Sequence, residues 1–512
     1  MSLSKKSVYW FYGLYLLIIP LGFFIRILNS KFLTTEQFGL FYSLISFFAI
    51  LSLITNYGFS TSLRHFIPYY IVKKQKDKIR NLFYYAYLPQ ILLVIIFSLF
   101  LYLFSNQISQ GYLGQISFSQ YIILFLVFFI GNNFLASLLD IFVSYGLNVY
   151  YQLIYMIQQL SILVLTYLVF TTNIFGDSLG GVILVWGITV LLIFLIYVII
   201  LFKKFPYLLR LPTFDLNLLK KLFSYSSNVF FSNLGLSILT QIDLVMITYF
   251  LTLKDVAYYS NAQSLINIVI MFFTSITVIL MSYFSKLYSE KNMAELKFFF
   301  KKIYSLLIYF TLPFIMVLFL FSKEILSIIF GQEYGNAALF LKIFSIFTII
   351  RVLYTYNITF LNAINKTNIT RNIIIFVLFF NIMLNYIFLI YFGVLGIVCA
   401  TVISWTIIFI YTLIRLKSFL DVVLDLKELF LIIIDISIFL ILVYTLKSIF
   451  SIFPLLVNGF ISLSLTSIVY VILGRIFSIY DSKDIKLFLP QRYHKYVDKF
   501  NFLKSKQDKE EI

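Results

Sequence analysis

Charge is scarce in this sequence. Of 512 residues only 12% are Asp, Glu, Lys or Arg, roughly half the share found in an ordinary soluble domain. Metal-binding and redox-active side chains are scarcer still, with one cysteine, Cys399, and two histidines, His65 and His494. A lone cysteine supports neither a disulfide framework nor a thiolate metal site, and two histidines far apart show no local ligand spacing. No GxxxxGK[ST] phosphate loop occurs, so the chain is not a P-loop ATPase in itself.

What fills the space is apolar. Hydrophobic residues make up 62% of the chain and mean hydropathy is +0.99. Water would require an improbably large core to bury them, whereas a bilayer accommodates them directly, at roughly 20 residues per spanning helix. The sequence therefore reads as an all-α integral membrane protein. Lys5 and Lys6 precede an apolar run too long for a signal-peptide core, with no small-residue cleavage pattern after it, so this run is expected to stay as the first helix.

Bilayer-length spans run Val8 to Leu28, Phe38 to Phe59, Phe83 to Phe104, Tyr121 to Ser144, Leu153 to Thr171 and Gly180 to Phe202. After a basic, proline-containing connector come Phe223 to Phe250, Val256 to Phe284, Ile303 to Phe321, Ala338 to Ile358, Asn372 to Tyr391 and Leu395 to Ile414. Leu429 to Leu446 and Leu455 to Leu473 complete about fourteen spans. The expected organisation is a six-helix lobe at 1–202, the connector at 203–222, a second six-helix lobe at 223–414, two additional helices at 415–474 and a charged tail at 475–512.

An even number of spans puts both ends on one side. With that side cytoplasmic, 32 of the 39 Lys and Arg residues fall in cytoplasmic segments, against Lys31, Lys254, Lys323 and Lys447 opposite. This asymmetry is the positive-inside pattern. It accounts for the formal charge of +18 without nucleic acid, and basic loops of this kind also suit anionic headgroups. The loops on the other side are short, which leaves no room there for a catalytic domain; the chain is read as a non-enzyme.

KFLTTEQFGLFYSLISF from Lys31 aligns with YFLTLKDVAYYSNAQSL from Tyr249 at a constant offset of 218. Both copies place a helix ending at FLT, a short turn, a long helix and a basic stretch in the same order, and the third helix of each half carries a proline, Pro89 and Pro313. Duplicated halves of six helices share one membrane orientation, so the expected fold is two pseudo-symmetric lobes in a parallel repeat around a central cavity.

With FLTTEQFGLFYSLISFFAILSLITNYGFSTSLRHF, QIDLVMITYFLTLKDVAYYSNAQSL, IIFGQEYGNAALFLKIF and NIMLNYIFLIYFGVLGIVCATVISW in this order, the chain resembles the Wzx-like lipid-linked oligosaccharide flippases. These are the polysaccharide-export branch of the multidrug/oligosaccharidyl-lipid/polysaccharide superfamily. The resemblance implies alternating access by two helical bundles, moving a polyprenyl-linked oligosaccharide from the cytoplasmic to the outer leaflet of the cell membrane. It also implies work beside a polysaccharide polymerase or glycosyltransferases, with the last two helices flanking the path of the lipid tail.

Ionisable groups inside spans are costly and are functional candidates by default. They are Arg26, Asp140, Asp243, Lys342, Arg351 and Asp435. Lys342 and Asp435 lie near span ends, where snorkelling or local pairing suffices. Asp140 has no partner evident from sequence. Asp243 lies seven residues before the end of its span, about 10 Å deep at 1.5 Å per residue, and Asn385, Asn381 one turn deeper and Thr401 supply oxygen at similar depth. Such a set either holds a hard monovalent cation or a proton, or simply hydrogen-bonds between helices. By resemblance, sodium-linked peptidoglycan-precursor flippases carry a similar constellation, with an acid where this chain has Asn385. No other cofactor is implied.

Arg26 matches Leu244, beside Asp243, at the repeat offset, so the expectation is either a pair between Arg26 and Asp243 or binding of a substrate diphosphate, whose oxygens suit the planar guanidinium. The resembling flippases carry an arginine on this helix. Arg64 and Arg351 are further candidates for receiving the diphosphate or for headgroup and structural roles. The alternatives to oligosaccharide flipping are a cation-coupled drug or small-molecule exporter of the same fold and, from another class, a membrane glycosyltransferase or polymerase, which needs an outer catalytic loop that this chain lacks.

Overall fold

A backbone surrounded by hydrocarbon has to satisfy its own N–H and C=O groups, and the helix does so within one segment. The computed structural model describes residues 5–172, 175–364, 366–420, 426–449, 455–477 and 479–480; the expected charged tail beyond Tyr480, including His494, lies outside them. Every regular element among the described residues is helical. The N-terminal half runs α1 (Lys5–Phe32), α2 (Thr35–Asn56), α3 (Phe59–Val72), α4 (Lys76–Leu103), α5 (Ser105–Ile108), α6 (Ser119–Ser144), α7 (Asn148–Thr172) and α8 (Ser178–Lys204). Then follow α9 (Leu216–Phe250), α10 (Leu253–Ser289), α11 (Met293–Leu320), α12 (Ser322–Phe330), α13 (Ala338–Ala363), α14 (Thr367–Lys417), α15 (Leu426–Ile449) and α16 (Leu455–Ile476).

Ten helical segments among the described residues are long and apolar enough to cross a membrane. One of them, Asn372–Lys417, covers two of the expected spans. α1 and two shorter apolar segments, Ser237–Phe250 in α9 and Ile461–Ile476 in α16, lie where three further spans were expected. Outward faces are apolar: on α4, Leu92, Ile95, Ile96, Leu99 and Leu103 are all exposed and recur at helical spacing, as a lipid-facing stripe does.

Two changes of direction fall at the ends of expected spans. The second span ends at Tyr57 and Gly58, both in left-handed conformation, where α2 gives way to α3. The 51 residues of α14 change direction at Gly393, where φ is 57° and ψ is −136°. Only glycine adopts that region without strain, and the sequence reading had placed the turn between Tyr391 and Leu395. Between the spans expected to end at Phe321 and to begin at Ala338, the chain forms α12 and a 3-10 turn, Gln332–Ala337.

The repeat has a structural signature. Thr34 caps α2 by accepting from the Gln37 backbone at 3.2 Å, and the Gln37 side chain accepts from the Thr34 backbone at 3.1 Å. At positions 218 residues later, Thr252 accepts from the Asp255 backbone at 3.2 Å and Asp255 accepts from the Thr252 backbone at 3.2 Å. Each is a capping box, which satisfies two N–H groups that the first turn leaves open.

The described residues fall into two compact units. The first takes in those within Met1–Asn261, Leu326–Ala337 and Leu378–Ala400; the second, those within Ala262–Ile325, Ala338–Val377 and Thr401–Ile512. Polar side chains knit the first unit internally: Thr55 donates to Asn133 at 2.8 Å, Ser137 to Gln90 at 2.6 Å, and Ser43 and Thr248 lie 2.8 Å apart. Hydrogen bonds of this kind hold helices together where lipid provides no hydrophobic drive. In the second unit, Pro313 of α11 has no N–H to offer the carbonyl of Tyr309 one turn earlier. The hydroxyl of Tyr470, from α16, donates to that carbonyl at 2.8 Å.

Candidate functional site

Asp243 in α9, Asn381 and Asn385 in the first arm of α14, and Tyr259 in α10 meet in the first unit, each no more than 1% exposed. The one-turn spacing of Asn381 and Asn385 puts both on one helix face. The Tyr259 hydroxyl donates to Asp243 Oδ2 at 2.6 Å, and Asn385 Nδ2 donates to Asp243 Oδ1 at 2.7 Å and reaches Asn381 Oδ1 at 3.2 Å. Asn385 Oδ1 is buried with no hydrogen-bond partner. A buried carboxylate, a carboxamide oxygen with unused capacity and a second carboxamide form an oxygen-rich, singly charged cluster, suited to a proton or a hard monovalent cation. Among the described residues no group of three His, Cys, Asp or Glu side chains gathers as a metal site would require.

Three of the four predicted coupling residues are thus adjacent. Thr401 falls in the second unit, where it lines a cavity of about 30 Å³ together with Arg351, Trp405 and Gln263. The Arg351 guanidinium lies 4.6 Å from the centre of the Trp405 ring and donates to Asn267 at 3.2 Å.

Arg26 corrects an expectation. Its Nε donates to Asn261 of α10 at 2.7 Å, and its guanidinium sits 3.9 Å from the centre of the Tyr42 ring and 5.4 Å from that of Phe38. It does not pair with Asp243, whose oxygens receive Tyr259 and Asn385. Aromatic faces stabilise a cation without neutralising it, and Arg26 Nη2 is buried without an acceptor. The result is a positive group with a donor to spare.

Arg64 is differently placed. Its Nη2 and Nε lie 2.6 and 2.8 Å from Asp140 Oδ1, and the Ser60 hydroxyl donates to Asp140 Oδ2. Asp140 is 2% exposed and Arg64 44%. The acid without an evident sequence partner therefore holds one of the proposed phosphate-binding arginines. A cleft of about 570 Å³ in the same unit gathers Lys74, Lys76, Lys204 and Arg210 around Tyr145 and Tyr207, a concentration of cations that span-by-span reading did not single out.

Tyr259 and Asn261 lie on a different helix from Asp243 and Arg26 and are not among the polar residues that the sequence singles out. The signal available was SNAQ within an otherwise apolar helix.

A family model described as polysaccharide biosynthesis protein matches residues 4–288, and one described as MatE matches residues 229–387. An uncharacterized membrane protein of Methanocaldococcus jannaschii is 25% identical over 504 residues, 94% of this chain and 97% of that one. The probable low-salt glycan biosynthesis flippase Agl15 of Haloferax volcanii is 23% identical over 203 residues, 40% of this chain and 43% of that one. Among solved structures, the lipid II flippase MurJ in an inward closed conformation has a TM-score of 0.73 at 17% identity, covering 91% of this chain and 98% of that one. The fold is that of flippase-type transporters, and with more than half its length matched, the chain belongs to the polysaccharide biosynthesis protein family.

Proposed function

We propose that this protein flips a polyprenyl (di)phosphate-linked oligosaccharide from the cytoplasmic to the outer leaflet of the cell membrane, by alternating access, for cell-surface polysaccharide assembly. The observation that carries the reading is Arg26. A guanidinium held on Tyr42, with no acid at its open Nη2, is a group prepared for an anion, and a diphosphate offers the oxygens its planar fork matches. Arg351 and Arg64 are secondary candidates, the latter already neutralised by Asp140. The basic cleft around Lys74 and Arg210 suits anionic headgroups at the cytoplasmic face. The distribution of Lys and Arg supports a cytoplasmic position for both termini.

Asp243, Asn381 and Asn385 are proposed to couple transport to a sodium ion or a proton, and Thr401 stays a sequence-based candidate for the same role. Polymerases or glycosyltransferases would supply and consume the substrate. The match of the MatE model to residues 229–387 favours, as second reading, export of small organic cations.

Deleting the gene in its host and probing glycan accessibility with a membrane-impermeant reagent separates the two. Finished lipid-linked glycans reachable only after lysis are the expected result. Normal outer-leaflet glycans together with new sensitivity to cationic drugs would overturn the flippase reading in favour of the exporter.

A further inference from the structure

The two C-terminal helices carry a further buried acid, remote in sequence from Asp243 and Asp140. Asp435 of α15 is fully buried in the second unit, with Tyr309 of α11 and Tyr470 of α16 around it. The Tyr309 and Tyr470 rings stack 4.4 Å apart at 9°. The Tyr309 hydroxyl oxygen lies 2.9 Å from Asp435 Oδ2 and 2.5 Å from the carbonyl oxygen of Tyr470. Gly474 permits this approach, since a Cβ there would come within 2.1 Å of the same hydroxyl.

Counting hydrogens ties the bonding of Tyr309 to the state of Asp435. A phenol has one hydrogen to give, and the carbonyl of Tyr470 can only accept. If Tyr309 donates to that carbonyl, the shorter of its two contacts, the hydrogen in the contact with Asp435 must come from the carboxyl. Other features agree. Asp435 Oδ1 is buried without a partner, which an ionised carboxylate tolerates far less than a neutral one. The titratable groups closest to it on the packed elements are Tyr309, Tyr470 and Tyr480, with Arg475 beside Tyr480 and Lys302 donating to the Ile479 carbonyl at 3.0 Å. No basic side chain among the described residues forms an ion pair with it.

We infer that Asp435 is a proton-binding site of this protein, separate from Asp243, whose bound proton decides which helix Tyr309 holds. With the proton present, the carboxyl O–H donates to Tyr309 Oη and Tyr309 donates to α16. When the proton leaves to water, the carboxylate takes the Tyr309 hydrogen and the bond to the Tyr470 carbonyl is lost. Because Tyr470 also supplies the hydrogen bond that Pro313 withholds from the Tyr309 carbonyl, proton release loosens α16 at the one point in α11 where the helix ladder is already open. The ligand is a proton, and the device links it to the attachment of α15 and α16.

Infrared spectroscopy of the purified full-length protein tests this without any transport measurement, so the outcome does not depend on the substrate. In difference spectra against Asp435→Asn, the wild type is expected to show a protonated-carboxyl stretch that is lost as pH rises. Asn mimics the protonated acid, so the melting temperature of the wild type should fall increasingly below that of Asp435→Asn as pH rises. If the Asn variant does not fold, Tyr309→Phe replaces it, and the carboxyl stretch should move to the position of a free acid. A spectrum identical in wild type and Asp435→Asn, melting profiles that run parallel with pH, or a stretch unmoved in Tyr309→Phe would overturn the inference.

Discussion

Thr34 and Thr252, 218 residues apart, cap their helices with the same pair of reciprocal backbone and side-chain hydrogen bonds. The repeat is conserved in its chemistry at the helix start, although the third residue of the box is Gln37 in one copy and Asp255 in the other. Replacing either threonine by alanine removes a cap and is expected to cost about 1 kcal/mol. Thr34→Ala and Thr252→Ala should lower stability in detergent by similar amounts, and thermal unfolding of the two variants side by side checks it.

Arg64 and Asp140 form a pair in which only one partner is shielded from water. Arg64→Ala leaves a buried acid without its counter-charge, expected to cost about 3 kcal/mol, whereas Asp140→Asn leaves a half-exposed arginine that water can solvate. The double variant should therefore be more stable than Arg64→Ala alone. A double-mutant cycle read by denaturation gives the coupling directly.

Arg26 separates charge from shape. Arg26→Lys keeps the positive charge but loses the fork and the stacking plane on Tyr42, so flipping should fall at least tenfold while abundance and melting temperature hold. An equal loss of transport and of folded protein would instead assign Arg26 to the bond with Asn261.

For the acid cluster the expected outcome is loss of cation or proton dependence. Asp243→Asn should abolish the response of transport to the driving gradient, and Tyr259→Phe, which removes one of the two described donors to Asp243, should shift that response without abolishing it. Transport assays in vesicles with imposed sodium or pH gradients distinguish the two variants.

Gly393→Ala places a Cβ on a backbone at φ 57° and ψ −136°. The strain is expected to be about 1–3 kcal/mol, seen as a lower melting temperature with no side-chain contact removed.

The turn at Gly393 was legible in the sequence because it depends on local chemistry, a glycine between two apolar runs. The membrane fold was legible because apolar length is itself the signal. What brings Asp140 to Arg64 is packing between helices 76 positions apart, and nothing in either neighbourhood announces it. The repeat offset made Asp243 one of two expected partners for Arg26, yet its described hydrogen bond goes to Asn261, a neutral group that opposite charge does not point to. Depth along a span grouped Asp243, Asn381, Asn385 and Thr401; the first three are adjacent, and Thr401 falls in the second unit, because depth says nothing of which helix faces meet.

Pro313 gives the last two helices a task inside the bundle. The bond it withholds from the Tyr309 carbonyl is made by the Tyr470 hydroxyl of α16, so a helix outside the six-plus-six plan completes the backbone hydrogen bonding of one within it.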